Sequence, residues 1–172
     1  MRHTISVLVE NEFGVLSRVA GLFSGRGFNI ESLSVAETLD PTVSRITLVT
    51  QGDDQVLEQV EKQLNKLISV IKVTDFTHTA HVERELMLIK VAVEERTRGE
   101  LMNIVDIFRG KIIDVSPDSY IIEVTGTEDK IAALVELLKP IGITEIVRTG
   151  KVAMFRGARR LDMDGTDKEH AA

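Results

Sequence analysis

The chain matches itself. Residues 14–30 (GVLSRVAGLFSGRGFNI) and 99–115 (GELMNIVDIFRGKIIDV) align at an offset of 85. Gly14 meets Gly99, Leu16 meets Leu101, Phe23 meets Phe108 and Gly25 meets Gly110. Val19, Leu22, Phe28 and Ile30 meet Ile104, Ile107, Ile113 and Val115, so apolar character recurs in one helical phase. A repeat of this kind means one supersecondary unit used twice, which bounds the fold more tightly than composition does.

The flanking patterns repeat as well. Residues 4–10 alternate through Ile5, Val7 and Val9, the mark of a half-buried strand. Residues 15–23 put Val15, Leu16, Val19, Leu22 and Phe23 on one helical stripe, which Gly25 and Gly27 stop. Residues 28–37 and 43–50 are β-rich and joined by Asp40-Pro41-Thr42, a hairpin turn. A helix over 54–67 and a strand over 69–76 complete a β-α-β-β-α-β order. The second half predicts strands over 85–94, 111–116, 119–125 and 143–149, and helices over 98–109 and 128–139. Its first helix opens on Thr97-Arg98-Gly99-Glu100, the pattern of a capping box. The fold class is therefore α+β, with two tandem ferredoxin-like βαββαβ domains. The expected domains are 1–77 and 85–156, with a polar linker over 78–84 and a mobile tail over 157–172.

Composition narrows the function classes. The formal net charge of −6 argues against nucleic acid as a partner, because phosphate binding needs a basic footprint. The absence of cysteine excludes disulfides and thiolate chemistry. No apolar run reaches the roughly 18–20 residues of a membrane span, and the first residues lack a signal-peptide pattern. The expectation is a cytoplasmic protein. His3, His78, His81 and His170 lie near the termini or in the linker, so no serine has an obvious base. His78 and His81 alone do not make a metal site, and the acidic run 162–169 has the wrong spacing for an EF-hand. Neither catalytic nor metal residues are expected, and function shifts toward binding and regulation.

The stretch Glu10-Asn11-Glu12-Phe13-Gly14-Val15-Leu16 joins the first strand to the first helix. A helix start exposes N–H groups and a partial positive charge, which suit a carboxylate. Helix three supplies Thr97 and Glu100 to its own start; helix one has Glu12 and Val15 there. The N–H groups of Gly14, Val15 and Leu16 are thus open to a ligand. Asn11 and Asn29 flank them, and an amide can accept from an ammonium or donate to a carboxylate. With Val15, Leu16 and Ile30 as an apolar wall, the set suits a small aliphatic amino acid. The second half carries Arg96 and Asp114 at the two Asn positions, which breaks this neutral chemistry. The same Asn and Gly residues are also ordinary turn formers.

The run Ser6-Val-Leu-Val-Glu-Asn11-Glu-Phe-Gly14 through Gly25-Arg-Gly-Phe-Asn29-Ile-Glu-Ser-Leu33 resembles the start of the bacterial acetohydroxyacid synthase (acetolactate synthase) regulatory small subunits. Asp40-Pro-Thr-Val-Ser-Arg45, Glu58 to Leu64, His81-Val-Glu-Arg-Glu85 and Phe108-Arg-Gly-Lys-Ile-Ile-Asp114-Val extend the resemblance over about residues 1–155. It implies an N-terminal ACT domain that binds amino acids and dimerises with its copy. It implies an effector, valine or its relatives leucine and isoleucine, at the dimer interface. Asn11, Gly14, Val15 and Leu16 of one chain and Asn29 and Ile30 of its partner would hold it. Catalysis would belong to a separate large subunit carrying thiamine diphosphate, magnesium and FAD, with no cofactor on this chain. The small subunit would activate that partner and confer feedback inhibition. The alternative is a free-standing ACT-type sensor acting on another enzyme; a small enzyme on this fold is the third reading.

Overall fold

The computed structural model describes residues 1–161. The elements are β1 (Arg2–Glu10), α1 (Val15–Ser24), β2 (Ile30–Glu37), β3 (Val43–Gln51), α2 (Asp54–Leu64), β4 (Val70–Asp75), β5 (His81–Ala92), α3 (Arg98–Ile107), β6 (Lys111–Val115), β7 (Ser119–Gly126), α4 (Glu128–Leu138), β8 (Ile143–Arg148) and β9 (Val152–Phe155). The antiparallel sheets run β2-β3-β1-β4 and β6-β7-β5-β8, with β9 pairing β5. The same strand order twice, each sheet backed by two helices, is the tandem ferredoxin-like arrangement that the repeat predicts.

Each half has its own core, built by the alternation read from the sequence. In the first, Ile5, Val7 and Val9 of β1 and Ile46 and Leu48 of β3 meet Val15, Val19 and Phe23 of α1 and Leu57, Val60 and Leu64 of α2. In the second, Met87, Ile89 and Val91 of β5 and Ile122 and Val124 of β7 meet Leu101, Ile104 and Val105 of α3 and Ile131, Leu134 and Leu138 of α4. Burying each such side chain contributes about 1.5–3 kcal/mol. The ends are set by polar residues. Asp53 caps α2, its carboxylate accepting from the Val56 N–H at 2.8 Å. Asp40 pins the β2–β3 turn, accepting from the Thr42 N–H at 2.9 Å and the Thr42 hydroxyl at 2.6 Å. Those two bonds hold the Asp40 carboxyl below its ordinary pKa.

Three features differ from the sequence expectation. The capping box at α3 does not form: Thr97 makes no side-chain cap. Its hydroxyl instead donates to the Glu94 carbonyl at 3.1 Å and accepts from the Glu94 N–H at 3.2 Å, closing a turn before the helix. The matched glycines Gly25 and Gly110 also play different parts. After α1 the left-handed residue is Gly27 (φ 71°), and the Phe28 N–H returns to the Phe23 carbonyl at 3.0 Å. After α3 it is Arg109 (φ 53°), and the Gly110 N–H returns to Val105 at 2.8 Å. The same helix stop is therefore reached three alignment positions earlier in the second half.

The third difference is a domain boundary. The chain forms two compact units, Met1–Val82 together with the segment from Lys151, and Glu83–Gly150. The expected second domain, 85–156, gives its last residues to the first unit. The reason is apolar: Phe155 and Ala153 of β9 bury against Phe76, with Leu161 beside them. The Phe76 and Phe155 rings meet edge to face at 4.9 Å between centroids. The Arg156 N–H donates to the Ala80 carbonyl at 3.2 Å, and Lys151 N–H donates to Ser32 Oγ at 3.1 Å. β5 starts at His81, inside the expected linker. Of the expected tail, Arg159 stacks its guanidinium 4.2 Å above the Phe155 ring; positions 162–172 lie outside the described residues.

Candidate functional site

The loop from β1 to α1 ends on Gly14, which stands at the helix start with φ 83°, a conformation open to glycine and costly for most residues. No side chain caps α1, and its first turn holds no acidic residue. The Val15 N–H reaches the Glu12 carbonyl at a long 3.4 Å. Among the described residues the N–H groups of Gly14 and Leu16 have no acceptor. The start of α1 thus keeps donors and a partial positive charge facing outward.

Asn11 is held firmly. Its N–H donates to the Thr42 carbonyl at 2.7 Å. Its side-chain Nδ2 donates to the Pro41 carbonyl at 2.8 Å and to Glu37 Oε1 at 3.2 Å. The residue therefore ties the β1–α1 loop to the β2–β3 turn. Phe13 and Leu39, one in each of these segments, are fully exposed large apolar residues. Asn29 lies elsewhere: its carbonyl accepts from the Thr50 hydroxyl at 2.8 Å, and its side chain is exposed.

Sheet register separates the two asparagines. Glu10 stands opposite Val43, and Ile30 opposite Thr50. Asn11 and Asn29 thus lie beyond opposite ends of the eight residues Val43–Thr50 of β3, whose seven steps span roughly 23 Å at 3.3 Å per residue. One chain brings Asn11, Gly14 and Leu16 together and keeps Asn29 and Ile30 away from them. Val15 departs from its expected role as a wall, because its side chain is part of the core; only its backbone faces the turn. Leu16 is 42% exposed and Ile30 half-buried, so both keep apolar surface. Sequence reasoning missed Glu37, whose carboxylate is brought to Asn11 by the hairpin. Its one signal was position, at the strand end just before the Asp40-Pro41-Thr42 turn.

The second unit has the same strand-to-helix junction with different chemistry. Thr97 is right-handed there (φ −97°), and Arg96 Nε pairs with Glu94 Oε2 at 2.6 Å. Among the described residues no group of three or more His, Asp or Glu is placed to hold a metal ion. No helix there is long and apolar enough to cross a membrane.

Comparison with known proteins adds the family. A family model described as an AHAS small subunit-like ACT domain matches residues 5–72, and one described as the small subunit of acetolactate synthase matches 84–157. The chain belongs to the acetolactate synthase small-subunit family. A probable acetolactate synthase small subunit of Archaeoglobus fulgidus is 58% identical over 93% of this chain and 100% of its own length. The acetolactate synthase small subunit of Aquifex aeolicus is 59% identical over 90% of this chain and 81% of its own. The crystal structure of the acetolactate synthase small subunit from Thermotoga maritima covers 91% of this chain and 98% of its own, with a TM-score of 0.83 and 47% identity. The first unit of this small-subunit chain is thus an ACT domain, and the Asn11–Gly14 turn lies within it.

Proposed function

We propose that this chain is the regulatory, non-catalytic small subunit of an acetolactate synthase. Two copies pair through their ACT units, and a branched-chain amino acid, valine foremost, binds between them. The subunit activates a large catalytic subunit, which carries the thiamine diphosphate, magnesium and FAD, and the bound amino acid lowers that activity. An effector inhibits only if it favours the less active state, and a ligand touching both copies can do so by changing how they pair.

The observation that carries this reading is the separation of Asn11 from Asn29. A site that uses both needs two chains. β2 is an edge strand of its sheet. Two β2 strands paired antiparallel about a two-fold axis would set the Asn29 end of one beside the Glu37 end of the other, where Asn11 is tied. The effector's carboxylate would then meet the uncapped start of α1, and its side chain the apolar surface of Leu16 and of the partner copy's edge.

Mixed dimers test this. The Asn11→Ala chain and the Asn29→Ala chain should each fail to bind valine in calorimetry. After mixing, the heterodimers regain one intact site in two. A mixture that binds no more than its parents would show that the site lies within one chain. Capture of a thiamine-dependent enzyme from extract, and its inhibition by valine, separates this reading from a free-standing sensor.

A further inference from the structure

Asn11 presents only one of its two amide functions. The Pro41 carbonyl and the Glu37 carboxylate can only accept, so the side-chain NH2 must face them. Both of its N–H bonds are then committed. What remains is Oδ1, an acceptor. An amide locked this way cannot donate to a carboxylate; it suits an ammonium.

Glu37 adds charge to that acceptor. It ends β2 opposite Ser44, which in turn stands opposite Val9, a residue of the helix-facing core. Its side chain therefore rises on the helix-bearing face, beside the loop that leads to α1. The carboxylate is exposed at the sheet edge and bonded to Asn11 at 3.2 Å.

We propose that Glu37 is a specificity-determining residue of the effector site. It fixes Asn11 with its oxygen toward the ligand and supplies the negative charge that receives the ligand's ammonium. The carboxylate of the ligand is then left to the N–H groups at the start of α1. This inference rests on the effector reading above and assigns its polarity. The site should require a protonated amine and should reject the 2-oxo acid with valine's carbon skeleton, which offers a neutral carbonyl to two acceptors.

The test is a charge series at one position in the full-length chain, read by calorimetry with valine. Glu37→Gln can still accept from Asn11 but carries no charge; valine affinity should fall about tenfold. Glu37→Lys opposes the ammonium, and affinity should fall more than a hundredfold. Sedimentation shows whether the variants keep their dimer. On the unaltered chain, the 2-oxo acid should bind at least a hundredfold more weakly than valine. Wild-type affinity in Glu37→Gln, or equal binding of the oxo acid and valine by the unaltered chain, overturns the proposal. Gly14→Asp is the control for the site itself. If it abolishes valine binding while Glu37→Gln binds normally, only the role of Glu37 fails. If Gly14→Asp binds valine as before, the site reading fails.

Discussion

The two units share strand order and helix placement and part company where the first strand meets the first helix. In the N-terminal unit that junction holds a left-handed glycine, an uncapped helix and a neutral amide turned outward. In the second unit a threonine hydroxyl folds back onto Glu94, and Arg96 pairs with Glu94 at the surface. The helices also sit in different phase. Leu16 is 42% exposed, whereas its alignment partner Leu101 is fully buried. One frame has spent its first turn on itself; the other leaves donors and apolar surface exposed.

The strongest challenge to that contrast is truncation at the matched leucines. Leu101→Ala removes a side chain from a closed core and should cost about 4 kcal/mol in denaturant unfolding. Leu16→Ala should cost under about 0.5 kcal/mol in the isolated chain and weaken dimer and effector binding instead. Equal losses would mean that the phases are not distinct.

Phe155 comes next. It follows the second unit in sequence yet packs on Phe76, so Phe155→Ala should lower the stability of the first unit by about 3 kcal/mol. Amide exchange resolves this: β1 and β3 should lose protection, with β7 unchanged. Loss confined to β7 would reverse the assignment of β9.

The matched glycines sharpen the functional side. An added Cβ meets nothing within 4 Å at either Gly14 or Gly99, so bulk does not distinguish them. On the proposed site, Gly14→Asp would place a carboxylate at the position assigned to the effector's own, and it should weaken valine inhibition of the holoenzyme at least a hundredfold, about 2.7 kcal/mol. Some backbone strain is expected as well, since Gly14 has φ 83°. Gly99→Asp, in the first turn of α3, should leave inhibition unchanged.

The smallest effect concerns α2 and α4. Glu61 and Val135 occupy the same helix position, and both are half-buried. Burial, then Asp75 and Glu58, raise the Glu61 pKa, while His3 opposes them in part. The folded chain thus holds the Glu61 proton to higher pH than the unfolded chain. Stability falls as pH climbs from the ordinary carboxylate value of 4.5 through the raised one, and the cost persists above it. Glu61→Gln should slightly raise the unfolding temperature at neutral pH, and this gain should vanish below the ordinary value. An equal gain at both ends would remove the titration as its cause.

Much of this was legible without coordinates. Alternation at Ile5, Val7 and Val9 and the helical stripe through Val19 and Phe23 report burial directly, because packing sets those periods. The tandem fold follows from the repeat. The uncapped α1 was visible as a missing Ser or Thr. What escaped depends on which partner each group meets once folded. Thr97 looks like a cap by spacing, yet its hydroxyl finds Glu94. Val15 reads as a pocket wall until the core claims it. Glu37 gains meaning only when the hairpin folds it against Asn11. β9 is four residues long, too short for its alternation to stand out, and its partner Phe76 lies far back in the chain.

The return of β9 sets an order of manufacture. The ribosome completes the second unit before it releases Phe155, so the ACT unit waits with Phe76 uncovered while about eighty residues are made. At roughly 5–20 residues per second that interval lasts several seconds. A nascent chain therefore completes its N-terminal unit last, after the module that follows it in the gene has had time to fold.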